Sequence, residues 1–350
     1  MTSVATSPGG TAASPPAATP LRLSIIVEWA NTRRHGTPRA WRMLDVLVAQ
    51  WQAISAREFP ASLPADGARF LRRVDPRAEL LIATGDAPDP EFEGAVRRRV
   101  PDGCVALAVL VSEGLGYHAL KRVGGEHATG DILLFLDSDV VPDPGWLAHL
   151  LGSFANPDVQ VVFGQPYVAP TSVVTRAFAL GWIYELRDEP GRLARHHKLF
   201  PNNTAFRTEL YRRTGFRSVG RRSRGASSQL LEELARLGFS VWQNSNARVD
   251  HPAPAGFRHS VVRALAHARD HYMRSSEERH LYGLTTSLGV GGRRLARACY
   301  NTVRYRRRVG LKLWQVPAAL GVITGFYAIW FAGALLTHIR PDAMARRFQV

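Results

Sequence analysis

Cysteine is almost missing from this chain. Cys104 and Cys299 are the two thiols in 350 residues, far apart and without metal-ligand spacing. That excludes a zinc ribbon and a disulfide-stapled scaffold, and it predicts reduced, structural thiols and a cytosolic catalytic domain. Charge is missing from residues 1–20, a Ser/Thr/Ala/Pro/Gly stretch that also lacks an apolar run. Such a stretch has neither the basic start nor the apolar core of a signal peptide, and it buries too little to order itself, so a disordered tail is expected. Acidic residues are missing between Glu278 and Asp342, so the net charge of +16 is unevenly spread. A balance this basic raises nucleic acid as a partner, but no helix-turn-helix, zinc finger or aromatic RNA-binding signature accompanies it, and no nucleic-acid partner is expected.

What is present is organised around GDILLFLDSDVVPDPGWL, Gly130 to Leu147. Ile132–Leu136 is apolar on both faces, as a buried strand requires. It ends in Asp137-Ser138-Asp139, and carboxylates at that point cannot be unpaired core residues. At the carboxyl end of a strand in an open α/β sheet they would lie where ligands bind. Spaced i and i+2 they point the same way, which suits a hard divalent cation that takes substrate phosphates as further ligands. A ligand-free surface Asp-Ser-Asp turn is the plainer alternative.

Leu21–Val27 reads as a first strand running into Glu28-Trp29-Ala30-Asn31. Glu28 there can accept hydrogen bonds from a base or ribose, and Trp29 can stack on a base. Alternatively Trp29 packs in the core and Glu28 pairs with Arg33 or Arg34. Thr37 and Pro38 look like an N-cap and first helical position, ahead of the apolar stripe Trp41, Leu44, Val48, Trp51 and Ile54. Further strands are expected at Glu79–Thr84, Cys104–Val111, Val159–Phe163 and Phe239–Trp242. Helices are expected at Pro144–Phe154 and Ser172–Arg187, the latter carrying Trp182 and Tyr184. Alternating elements predict an α/β fold with a mostly parallel sheet flanked by helices.

The segment Gly116–Leu147 resembles the family 2 glycosyltransferases. Lys121, Gly124, Ala128, Gly130 and Asp131 match that family's run into the strand, and Trp146-Leu147 fit the helix after it, while Arg122 stands where Asn is usual. The resemblance covers roughly residues 22–255. It implies a GT-A (Rossmann-like) fold, a nucleotide-sugar donor and a divalent metal, Mg2+ or Mn2+. It also implies roles: Asp137 by the ribose and metal, Asp139 on the cation, Lys121 facing the diphosphate, Asn31 and a slightly displaced Asp86 in loops that meet the base. A solvated surface lysine is the alternative for Lys121. His251 resembles a late histidine that completes a metal site, with a structural histidine as the alternative. Asn202–Arg207 resembles the strand and turn under the acceptor. The match fails at one place: the family's Glu-Asp pair, whose Asp is the general base, is replaced by Ala226-Ser227, and a serine is no base without an activating neighbour. Either Glu232 or Glu233, more than a turn further on, takes over, or the domain binds donors without this chemistry.

Phe257–Met273 alternates apolar and basic residues at helical spacing, as a helix lying on a membrane or over the acceptor groove would. Arg293, Arg294, Arg297, Arg304, Arg306, Arg307, Arg308 and Lys312 then crowd ahead of Val316–Thr337, 22 residues without a charge. At about 1.5 Å per residue this crosses a roughly 30 Å hydrocarbon layer once. Tyr305 and Trp314 on one side, and His338 and Arg340 on the other, fit interfacial anchors, and the basic cluster fits anionic lipid and a cytoplasmic catalytic domain at the cell (inner) membrane. A buried helix of a soluble domain is the alternative. The expected organisation is a tail at 1–20, the GT-A domain at 21–256, a basic amphipathic region at 257–312, a transmembrane helix at 313–338 and a short tail at 339–350. The expected activity is inverting transfer from a donor, UDP-linked by this reading, to a lipid-linked or cell-envelope glycan; the alternative is a degenerate nucleotide-sugar or glycan-binding scaffold.

Overall fold

The computed structural model describes residues 19–32, 36–86, 90–100, 105–182, 184, 186, 191–217, 226–254, 256–279 and 283–347. The expected tail, a pairing of Glu28 with Arg33 or Arg34, and Cys104 lie outside these residues. In chain order the elements begin with β1 Leu21–Glu28, α1 Thr37–Ser55, α2 Ala65–Leu71, β2 Val74–Thr84, α3 Phe92–Arg97, β3 Val105–Val111, α4 Tyr117–His127, β4 Ile132–Asp137, β5 Val141–Pro142, α5 Trp146–Gly152 and β6 Val161–Tyr167. They continue with α6 Val173–Gly181, β7 Leu193–His196, β8 Asn203–Arg207, α7 Thr208–Thr214, α8 Ala226–Arg236 and β9 Val241–Asp250. Four helices follow: α9 Gly256–Arg279, α10 Gly283–Arg304, α11 Val316–Ile339 and α12 Pro341–Arg347.

One sheet runs β3-β2-β1-β4-β8-β6-β9-β5, with β7 also on β9. The parallel sheet predicted by alternation is its N-terminal half, β3-β2-β1-β4. Beyond β4 the pairing turns mixed, because β8 runs antiparallel to both β4 and β6. β1 and β4 are buried along nearly their whole length, as strands covered on both faces must be. Helix α1 covers one face with Met43, Leu44, Leu47, Val48, Trp51 and Ile54. Its N-cap is Gly36 at φ 77°, one residue before the Thr37 predicted for that role. Helix α4 lies so close over β1 that a Cβ on Gly124 would collide with Ile26. That contact draws the Lys121 end of the helix down onto the strand ends.

Two boundaries matter for the site. Helix α6 stops at Gly181, six residues short of the predicted end, so Trp182 and Tyr184 stand outside it. Strand β9 runs on to Asp250 and delivers His251 directly to the sheet's edge. A second core forms where α6 and α9–α11 meet, with Phe178, Ala268, Ala298, Ile323, Phe326, Tyr327 and Trp330 buried together. Among the described residues one helical stretch, Leu313–Ile339, is long and apolar enough to cross a membrane, by length and composition. One of its faces packs into the second core, while other positions along it are half-buried or exposed.

Candidate active site

Because β1 and β4 are parallel neighbours in register, Glu28 stands opposite Asp137 at their carboxyl ends. Asp139 follows two residues on, and all three carboxylates are buried. Helix α4 supplies the countercharge. The fully buried Lys121 puts Nζ 2.6 Å from Asp137 Oδ1 and donates to the Pro201 carbonyl at 2.8 Å. One turn earlier, the Tyr117 hydroxyl reaches both Asp137 oxygens at 2.8 and 2.9 Å. The alternative of a solvated surface lysine is therefore excluded.

The remaining polar contacts tie the acids to distant segments. Asn31 Nδ2 donates to Glu28 Oε1 at 2.7 Å and to Asp139 Oδ1 at 3.4 Å, and the Ala30 N–H donates to Glu28 Oε2 at 3.0 Å. Arg39 donates to the Asp139 carbonyl and reaches the Asp250 carbonyl and carboxylate at 2.8 and 2.9 Å. Burial, and then Asp137, raises the Glu28 carboxyl well above the usual range, while Lys121 pulls it back. Tyr117 is held well up by burial and then by Asp137. Burial and repulsion from Asp137 push Asp139 up to about 7, against the opposing charges of Arg263 and Arg39.

His251 is buried with its ring 5.0 Å from Tyr184 and 5.7 Å from Trp182. Its Nδ1 lies 2.8 Å from the Pro252 carbonyl, which can only accept, so Nδ1 carries a proton. Arg263 of α9 sits 5.3 Å over the Trp182 ring, and its charge acts on Asp139. Asn202 accepts the Asp137 N–H at its carbonyl, 3.1 Å, and donates Nδ2 to the Tyr184 hydroxyl at 3.2 Å.

Other expectations fare differently. Trp29 is closed into the core against Trp41 and Phe92, at 5.2 and 5.1 Å, so it is not a stacking platform for a base. Asp86 is exposed at the end of β2, one strand beyond β1, with its backbone tied to the Thr84 hydroxyl. Glu232 does not join the cluster: it is exposed on α8, whose buried face is Ala226, Leu230 and Leu234. Glu233 is engaged by Arg217 at 2.8 Å.

Four participants escaped sequence reading. Tyr117 was within reach, since it lies four residues before Lys121 on one helical face. Asn202 sits at the edge of the stretch assigned to the acceptor strand. Arg39 and Arg263 act on Asp139 from 100 or more residues away, and nothing local announces them.

Among the described residues no group of three or more His, Cys, Asp or Glu side chains converges into a ready-made metal site. The donor set still fits one kind of ion. A hard divalent cation that draws most of its ligands from a bound diphosphate needs few carboxylates, and Asp139, destabilised as an anion by burial and by Asp137, gains from a cation beside it.

Residues 107–265 match the sequence pattern of "Glycosyl transferase family 2". Over 92 residues the chain is 30% identical to a Mycobacterium tuberculosis protein classed among glycosyltransferases; this covers 26% of the chain and spans only 27% of that protein's length. A mannosyltransferase, PcManGT from Pyrobaculum calidifontis, solved with GDP-Man and Mn2+, superposes with a TM-score of 0.52 at 16% identity, covering 94% of this chain and 90% of its own. Staphylococcus aureus TarS 1–349 superposes with a TM-score of 0.44 at 13% identity, covering 91% and 92%. The Pyrobaculum likeness extends along nearly the full chain and establishes the GT-A type of fold. The pattern match covers the stretch from β3 into α9, which contains the acidic strand end itself, and supports a glycosyltransferase of family 2 type.

Proposed function

We propose that this chain transfers a sugar from a nucleotide-diphosphate sugar to an acceptor at the membrane, with inversion. One observation carries the reading: three buried carboxylates, Glu28, Asp137 and Asp139, meet at adjacent strand ends around a buried lysine. Burial of that much like charge is destabilising, and it persists where a ligand is to be held. In this reading Asn31, Glu28 and Asp86 face the nucleoside, Lys121 and Asp137 hold the ribose-diphosphate end, and Asp139 holds a divalent cation, with His251 as a further ligand. The cation, Mg2+ or Mn2+, would neutralise charge gathering on the leaving diphosphate. Lys121 and Tyr117 keep Asp137 fixed in one orientation, and Arg39 ties the Asp139 backbone to Asp250 so that the end of β4 cannot splay from the end of β9.

The outward-facing side of α11, with Leu335, Leu336 and Ile339 exposed, and the exposed Leu313 and Trp314 ahead of it support attachment to a membrane. The arginine cluster before the helix supports a catalytic domain on the cytoplasmic side, where nucleotide sugars are found. The acceptor is then a lipid-linked or cell-envelope glycan or its carrier.

A second reading rests on Ala226-Ser227. With no carboxylate at the start of α8 and Glu232 facing water, a scaffold that binds donors without transferring them has a specific observation in its favour. Thermal stabilisation by a panel of nucleoside diphosphates and their sugars, UDP first and GDP second, with and without Mn2+, tests the donor site. A metal-dependent shift for one nucleotide that disappears in Asp139→Ala is the expected result, and no shift for any nucleotide removes the proposal. Donor-dependent product then separates enzyme from scaffold.

A further inference from the structure

Helix α11 has two faces, and the rest of the chain holds one of them from end to end. Just before its start the Arg176 guanidinium of α6 donates to Gln315 Oε1 at 3.2 Å, and a Cβ on Gly181 of α6 would collide with Ile323. Further along, Trp330 and Phe331 close over Gly291 of α10. Near the end Gly333 packs against Leu265 and Ala268 of α9, and Tyr272 Oη lies 2.9 Å from His338 Nδ1. The chain then turns back onto α9, where Arg269 reaches the Met344 carbonyl of α12 at 3.5 Å, and Met344 and Ala345 are buried. The opposite face of α11 is open. Pro317, Gly321, Ala328, Ala332, Leu336 and Ile339 recur there at helical spacing, all exposed and none charged.

We infer that α11 lies along the membrane surface in one leaflet and does not cross, its open face against the acyl chains of an anionic lipid layer. This rests on the membrane attachment proposed above and gives that attachment its form. A crossing α11, roughly 36 Å long for its 24 residues, would draw its neighbours into the hydrocarbon with it. Those neighbours are charged. Helix α9 brings the buried Arg269–Asp270 pair, 2.6 Å apart, and Arg263, whose charge acts on Asp139. Helix α10 brings Arg293, Arg294 and Arg297, between its Gly291 contact with Trp330 and the Ala298 that is buried in the same core as Ile323. Ionised side chains at mid-bilayer depth are costly, and here they include a helix that reaches the candidate site itself.

Lying in the plane, the helix avoids that cost. Its held face stays on the protein, and the charges of α9 and α10 stay in water or among the headgroups. What flanks the open face sets the lipid chemistry. Leu313 and Trp314 are exposed ahead of the helix, and a tryptophan favours the boundary between chains and headgroups. Arg304, Arg307 and Arg308 are exposed just before them, and no acidic residue lies between Glu278 and Asp342. A second copy of this chain would bring the same positive charge to the contact and repel it. The phosphates of anionic lipid attract it instead. Both ends of α11, with α12, then stay on the side of the carboxylates.

The test places one reactive cysteine in the full chain, Arg346→Cys on α12 or Glu232→Cys on α8, in a Cys104→Ser/Cys299→Ser background. Membranes of expressing cells, as inverted vesicles and as sealed spheroplasts, are treated with an impermeant maleimide. Both cysteines are expected to react in inverted vesicles and neither in spheroplasts. Arg346→Cys reacting only in spheroplasts, with Glu232→Cys only in inverted vesicles, means a crossing helix and overturns the inference while leaving the attachment standing. The open face is tested by sedimentation of the purified chain with phosphatidylcholine vesicles, with and without an equal share of phosphatidylglycerol. Binding at least about tenfold tighter with phosphatidylglycerol is expected, and at least about tenfold weaker in L336E at an unchanged melting temperature, since Leu336 is exposed. The control A61E adds the same charge at an exposed position outside this face and is expected to bind as the parent does. Equal binding to both vesicles overturns the anionic assignment, and equal loss in both Glu variants overturns the face. A chain found only in the cytosol sinks the attachment itself, and a dimer there that L336E splits gives the face to a second copy.

Discussion

The ends of β1 and β4 and the start of α8 are both places where a sugar-transferring domain of this family is expected to keep acids, and they have gone opposite ways. At the strand ends Glu28, Asp137 and Asp139 are all buried, and each is answered by a named partner: Asn31 and the Ala30 N–H, Lys121 and Tyr117, Arg39 and Arg263. At the helix start there is no acid, and the glutamates further along are exposed or engaged by Arg217. Buried charge persists only where something compensates it, so the first region is constrained on every side. The second carries no such constraint. The acidic strand end is fully assembled, while the start of α8 carries no acid at all.

The sharpest way to break the comparison is to remove the countercharge. Lys121→Met leaves Asp137, with Glu28 beside it, buried without its cation, and a loss of about 3–5 kcal/mol in unfolding free energy is expected from urea titration. An unchanged midpoint would mean that Lys121 does not close the cluster electrostatically. The next effect is a pH dependence. Asp139 is pushed up to about 7 in the fold from an ordinary 3.8, so between about pH 4 and 7 the folded state holds a proton that the unfolded chain has lost. Stability therefore falls as pH rises through that window and levels off above it, by a total of roughly 4 kcal/mol. Melting temperatures across the window should fall less steeply in Asp139→Asn than in the parent, and identical slopes would remove Asp139 as the source. Glu28, raised in the same sense, keeps a residual slope in the variant.

The same contrast explains what the sequence disclosed. An apolar run that ends in Asp137-Ser138-Asp139 can be read because strand, burial and charge are all local, and the family pattern around Lys121 and Gly124 places α4 over β1. The N-terminal sheet, the α1 stripe and the acidic strand end follow from that. Arg39 and Arg263 could not be read, since their partners lie 100 or more residues away and an arginine on a helix looks the same whether it faces water or a carboxylate. Trp29 was ambiguous for a related reason: a tryptophan next to a site residue packs inward or stands outward according to Trp41 and Phe92, which only the fold brings to it. The mixed half of the sheet was hidden as well, because strand direction there depends on long connections and not on composition.

The smallest expected effect is the most pointed. Glu232 is the glutamate that stands closest to replacing the missing base in sequence, yet the fold turns it to solvent. Glu232→Gln removes its basicity and keeps its shape, so as a surface residue it should shift unfolding free energy by no more than about 0.5 kcal/mol. Its transfer rate, followed as donor-dependent product, should equal the parent's. A general base lost from the transition state would instead cost about 10²–10⁴-fold in rate. Those two results do not overlap, so one variant decides whether α8 still carries chemistry. A loss of that size would return the base to α8, and an unchanged rate would mean that Glu232 is only a surface residue.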